Sequence, residues 1–66
     1  MQLIINGKTT QVSDVRTVGD LIRFRGLKTT LVAVEHNGSI VPRAEFDSHE
    51  VAEGDKLEIV HFVGGG

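Results

Sequence analysis

Few residues of this chain are of a type and spacing that could do chemistry. The most unusual run is Gly64-Gly65-Gly66, which follows Phe62-Val63 with no polar spacer. Three extended residues reach at most about 10 Å beyond a folded body. Lacking Cβ atoms, they fit a channel too narrow for any other residue. A carboxylate on Gly66 could thus be placed inside another protein's active site. A carboxylate is anionic and a poor electrophile, so a sulfur nucleophile can attack it only after activation. Conversion to an acyl-adenylate by ATP would supply that activation. Attack by a persulfide and reductive release would then leave a thiocarboxylate, a soft nucleophile that is ionised at neutral pH. Two bland readings stand beside this one: an inert flexible end and a cloning scar.

The other candidates are weaker. His36, His49 and His61 lie on separate segments, without cysteine and without a His-x-x-x-His spacing. We expect exposed or turn histidines, not metal ligands. Thr29, Thr30 and Ser48 have no adjacent base in sequence, which argues against nucleophilic catalysis. Asn6-Gly7-Lys8 lacks the GxxxxGK pattern of a phosphate loop and reads as a hairpin tip. Glu45, Asp47, Glu50, Glu53 and Asp55 read as a solvated acidic loop, with a docking surface for a basic partner as the lesser alternative. Arg43, at a strand end, is expected to be solvated.

Composition narrows the class. A chain of 66 residues is one domain, and at this size it buries only about 60% of its unfolded surface, leaving little core for a deep catalytic pocket. Hydrophobic residues at 39% and charged residues at 24% fit a soluble globular domain. The net charge of −2 argues against a nucleic-acid partner. No apolar run approaches the roughly 20 residues of a membrane span. The start, MQLIINGK, has no basic region before its apolar stretch, so we expect no signal peptide and a cytoplasmic location. Without cysteine, packing alone must hold the fold, and no side-chain thiol can carry sulfur.

The elements that must position the tail read as follows. Met1 to Ile5 is a strand, Asn6-Gly7 a type I′ hairpin turn, and Lys8 to Val12 the returning strand. Thr17 caps a short helix, about Val18 to Arg25, with Asp20 completing a capping box. Val18, Leu21 and Ile22 form its apolar face. Gly26 takes the position after the last turn, with Leu27 folding back behind it. Arg25 falls within the apolar stripe and is expected to snorkel outward. Thr29 to Glu35 is β-rich, Asn37-Gly38 is a second tight turn, and Ser39 to Val41 is a short strand stopped by Pro42. Phe46 and Val51 are core anchors in an irregular stretch, and Lys56 to Val63 is the last strand. This order predicts an α+β, ubiquitin-like β-grasp: a mixed four- to five-stranded sheet with one main helix on one face. Residues 1–63 would form the domain and residues 64–66 a flexible glycine tail.

One helix covers only one face of such a sheet. Both parities of the strands carry apolar residues, so some must lie on the other face. We expect Ile4, Val60, Phe62 and Val63 to form a partner-binding patch there. The alternative is that residues 43–53 fold over part of it.

At this point the sequence resembles the ThiS family, the sulfur carriers of thiamin thiazole synthesis. The resemblance spans essentially the whole chain. It rests on the strand running into NGK, on TVGDLI, on VAVEHNGSIVPR and on the closing EGDKLEIVHFVGGG. It implies a carrier that is no enzyme and binds no cofactor. It implies adenylation of the terminal glycine, with ATP, by a ubiquitin-activating-like enzyme of the ThiF type. Sulfur would come from a cysteine desulfurase or other persulfide donor and pass to a thiazole synthase of the ThiG type. The carrier would act as a monomer. By position, Gly65 and Gly66 match the family's glycine pair, with Gly66 bearing the sulfur, and Gly64 is an extra glycine found in some members. Arg25 departs from the family, which usually has leucine there; the helix could shift, or Phe24 could take over the contact. A carrier for molybdopterin synthesis and a ubiquitin-like protein modifier remain open as alternatives.

Overall fold

The computed structural model describes residues 1–62. Val63 and the glycine run lie outside the described residues. Five strands, β1 (Gln2–Ile5), β2 (Lys8–Gln11), β3 (Val32–His36), β4 (Ser39–Val41) and β5 (Lys56–His61), form one sheet in the order β2-β1-β5-β3-β4. The sheet is mixed: β1 and β5 run parallel, and the other pairs are antiparallel. The same device closes both hairpins. Asn6 and Gly7 have φ of 51° and 81°, and Asn37 and Gly38 have 50° and 88°. These are the positive angles that the type I′ turn demands.

The single α-helix, α1 (Val18–Phe24), is fixed at both ends. Asp20 N–H donates to Thr17 Oγ1 at 3.1 Å, and Thr17 N–H donates back to Asp20 Oδ2 at 3.1 Å. At the other end, Gly26 N–H bonds Arg23 O at 2.9 Å and Leu27 N–H bonds Ile22 O at 3.0 Å. This pair is the Schellman pattern, and it stops the helix one residue short of the expected Arg25, which becomes the C-cap. Phe24 does not take over the contact that leucine makes in the family. Val18, Leu21 and Ile22 fill the core without help, Phe24 is 48% exposed, and Leu27 packs against the core from beyond the helix.

Strand alternation is clean where the sheet meets the helix. Leu3 and Ile5, Val32 and Val34, and Leu57 and Ile59 are buried. Each contributes roughly 1.5–3 kcal/mol by leaving water. Residues 43–53 close the same side. Phe46 and Val51 join that core, and the segment's carbonyls take up the free N–H groups at the start of α1. Val18 N–H bonds His49 O at 2.9 Å and Gly19 N–H bonds Phe46 O at 2.8 Å. With Thr17 capping Asp20, the first turn keeps no orphan donor. The segment thus seals the edge of the core beside the helix, not the opposite face of the sheet.

Candidate functional site

Strand β5, which leads to the glycine run, is held from both sides. It is hydrogen-bonded to β1 and to β3, and Phe62 N–H extends the ladder to Leu31 O at 2.8 Å. Where β1 ends, Asn6 continues its pairing with a side chain. Its Oδ1 accepts from Ile59 N–H at 2.7 Å and its Nδ2 donates to Ile59 O at 3.1 Å. The backbone is therefore fixed up to the last described residue. The sequence hides this, because Asn6 reads only as a turn residue.

The face of the sheet away from α1 is open among the described residues. Val60 is 55% exposed, Phe62 50% and Ile40 77%. Val60 and Phe62, two residues apart, share this face beside Ala33, the cross-strand partner of Val60. A shallow groove runs along it, lined by Ala33, Val34, Glu35, Ile40, Glu58 and Val60. Of the expected patch, the structure brings Val60 and Phe62 together and leaves Ile4 apart. Ile4 points to the same face but is half-buried and pairs with Lys56, at the far end of β5. It therefore sits roughly 13 Å along the strand from Val60. Val63, Gly64, Gly65 and Gly66 lie outside the described residues. Ile40 and Ala33 were missed because the register of β4 on β3 and of β3 on β5, not local spacing, brings them beside Val60.

Two histidines depart from expectation. His36 and His49 are half-buried and meet edge to face, with Nδ1 of the first 2.8 Å from Nε2 of the second. One of the two nitrogens donates and the other accepts, according to the tautomer. His36 Nε2 lies 2.7 Å from Asp55 Oδ2, which also accepts from Ala52 N–H at 2.8 Å. Burial alone would push the Asp55 carboxyl up, but the bonds from His36, Ala52 and Asn37 outweigh it and hold the group below the ordinary carboxylate range. The cluster clasps the end of β3 and the start of β5 to the 43–53 segment. His61 is exposed, and among the described residues no group of three or more His, Asp or Glu is arranged to hold a metal ion.

The acidic stretch is largely employed by the fold. Asp47 accepts from Arg23 at 2.7 Å, Glu53 accepts from Gln2 N–H at 3.0 Å, and Asp55 anchors the clasp. Arg43 is likewise no idle solvated cation. Its Nε donates to Thr29 O at 3.0 Å and its Nη2 to Val32 O at 3.1 Å, tying the segment to the entrance of β3. Ser48 Oγ bonds Glu45 O at 3.3 Å, capping its own turn.

A mixed sheet with α1 across one face and a central last strand defines a ubiquitin-like β-grasp domain. The ThiS family model matches residues 3–66, and the chain belongs to that family. It is 38% identical over 65 residues to the sulfur carrier protein ThiS of Bacillus subtilis, covering 97% of this chain and 98% of the relative. It is 46% identical over 66 residues to a thiazole synthase of Paramagnetospirillum magneticum, but spans only 20% of that longer protein. The crystal structure of the thiamine biosynthesis protein ThiS from Geobacter metallireducens superposes with a TM-score of 0.82 at 35% identity, covering both chains completely. Among the described residues no helix is long and apolar enough to cross a membrane.

Proposed function

We propose that this protein is a sulfur carrier for thiazole formation in thiamine biosynthesis, that it acts in the cytoplasm, and that its reactive group is the Gly66 carboxylate. The family match carries the reading, because it runs through the glycine residues to position 66. The described body offers a rigid seat and no catalytic constellation, so partner enzymes supply each chemical step. An adenylating enzyme of the ubiquitin-activating, ThiF type directs the carboxylate onto the α-phosphate of ATP and releases pyrophosphate. The terminal sulfur of a persulfide, held by a cysteine desulfurase or similar donor, attacks the acyl-adenylate and expels AMP. A thiol then cleaves the resulting acyl disulfide. The thiocarboxylate leaves, and the thiol and the donor's sulfur remain joined as a disulfide. A thiazole synthase of the ThiG type takes the sulfur. Two relatives named thiazole synthase contain a segment similar to this whole chain, which supports that pairing.

Gly64 and Gly65 would thread the partner's channel while Val60, Phe62 and Val63 dock the body, with Ile4 a separate contact at the far end of β5. The test is intact mass after incubation with ATP, the adenylating enzyme and a persulfide donor. Replacement of one carboxylate oxygen by sulfur on Gly66 supports the carrier. Isopeptide adducts on other proteins would favour a modifier, and an unchanged mass would refute both.

A further inference from the structure

Glu35 and Glu58 face each other directly across β3 and β5 on the open side of the sheet, and both are exposed. Like charges directly opposite one another weaken a sheet. No ion pair among the described residues includes either carboxylate. The ion pairs there are Arg23 with Asp20 and Asp47, and His36 with Asp55. Lys56, two residues before Glu58 on the same face, bonds neither carboxylate. The pair also sits at the edge of apolar ground: Ile40 is the cross-strand partner of Glu35 on its other side, and the Ala33–Val60 pair comes next along β5.

We propose that Glu35 and Glu58 receive an arginine side chain of the adenylating partner, with its stem on Ala33, Ile40 and Val60. The inference rests on the sulfur-carrier reading. Charge complementarity names the occupant. Two carboxylates on neighbouring strands lie about 5 Å apart at the Cβ atoms. A planar guanidinium with five N–H donors can bond both, and it is weakly hydrated enough to lie flat on an apolar floor. An ammonium presents a compact, strongly hydrated charge and gains less there. The site lies on the tail strand itself, so a partner anchored at Glu58 is held at a fixed distance from Phe62, the last described residue before the glycine run. A seat of that kind is what an enzyme needs to draw the carboxylate into an ATP site.

The test is the Glu35→Gln/Glu58→Gln double variant in ATP–pyrophosphate exchange with the adenylating enzyme, alongside its urea unfolding. The unfolding midpoint stays the same or rises, because the repulsion is gone. The KM for the carrier rises at least about tenfold with kcat nearly unchanged, and its dependence on salt weakens. Glu45→Gln/Glu50→Gln removes the same charge from the 43–53 segment and leaves KM as it was. An unchanged KM in the first variant overturns the proposal, and so does an equal rise in the control, which would reduce the effect to net charge. A lowered midpoint would make the pair structural. If the unsubstituted protein supports no exchange at all, the sulfur-carrier reading itself fails and this site falls with it.

Discussion

Asp55→Ala tests whether the clasp at the base of β5 holds the fold. The substitution removes the acceptor of His36 Nε2–H at 2.7 Å and of Ala52 N–H at 2.8 Å. A hydrogen bond to a charged group contributes about 1.5–3 kcal/mol when buried. The Asp55 side chain keeps 19% of its exposure, so water reaches part of what is orphaned. The loss at pH 7 should therefore be about 2–3 kcal/mol for the two bonds together. In a domain of this size that lowers the thermal midpoint by roughly 10–20 °C. Asp55→Asn should cost about half as much. Its amide oxygen, in the place of Oδ2, keeps both donors, and what is lost is the charge that strengthens them. The pH dependence has a definite sign. The folded carboxyl titrates below its ordinary value of 3.8. Its contribution is therefore complete above that value and disappears as pH falls through the folded one. Urea unfolding of both proteins should show a gap that shrinks as pH falls below about 4. Equal midpoints at pH 7 would refute the clasp. So would a gap that keeps its full size well below about pH 4.

Three further outcomes are expected. Asn6→Ala breaks the paired bonds to Ile59 and should cost about 1–3 kcal/mol by urea unfolding, and the exchange of the Ile59 amide hydrogen should accelerate. Thr17→Ala removes the N-cap hydroxyl and should cost about 1 kcal/mol. Asp20, held low first by the Arg16 N–H and then by the Thr17 N–H, makes part of the capping box fade in acid, so a helix-end signal should titrate below pH 3.8. Phe62→Asp should leave the cooperative transition in place, because that ring is half exposed, and weaken binding to the adenylating enzyme by calorimetry. Loss of the transition would show instead that Phe62 belongs to the core.

Local signals carried much of the fold. Asn6-Gly7 and Asn37-Gly38 specify their turns through backbone angles that few other pairs adopt, and Thr17 with Asp20 specifies the start of α1 within four residues. Alternation in β5 separates Leu57 and Ile59 from Val60 and Phe62, because a strand has only two faces. What stayed hidden depends on sheet order. His36 meets Asp55 only because β3 pairs with β5, and Asn6 reaches Ile59 only because β5 inserts beside β1. Ile4 has the right parity for the open face, yet the parallel register of β1 on β5 carries it away from Val60. Arg43 reads as a solvated end until the 43–53 segment folds back along β3 and brings its guanidinium to two carbonyls.

The chemistry proposed for this protein needs one free carboxyl group. A semisynthetic protein identical except for a C-terminal amide on Gly66 should fold with the same thermal midpoint and still bind the adenylating enzyme. It should form no acyl-adenylate and gain no sulfur by intact mass. If the amidated protein acquired sulfur at the rate of the free acid, the reactive group would have to lie elsewhere in the chain.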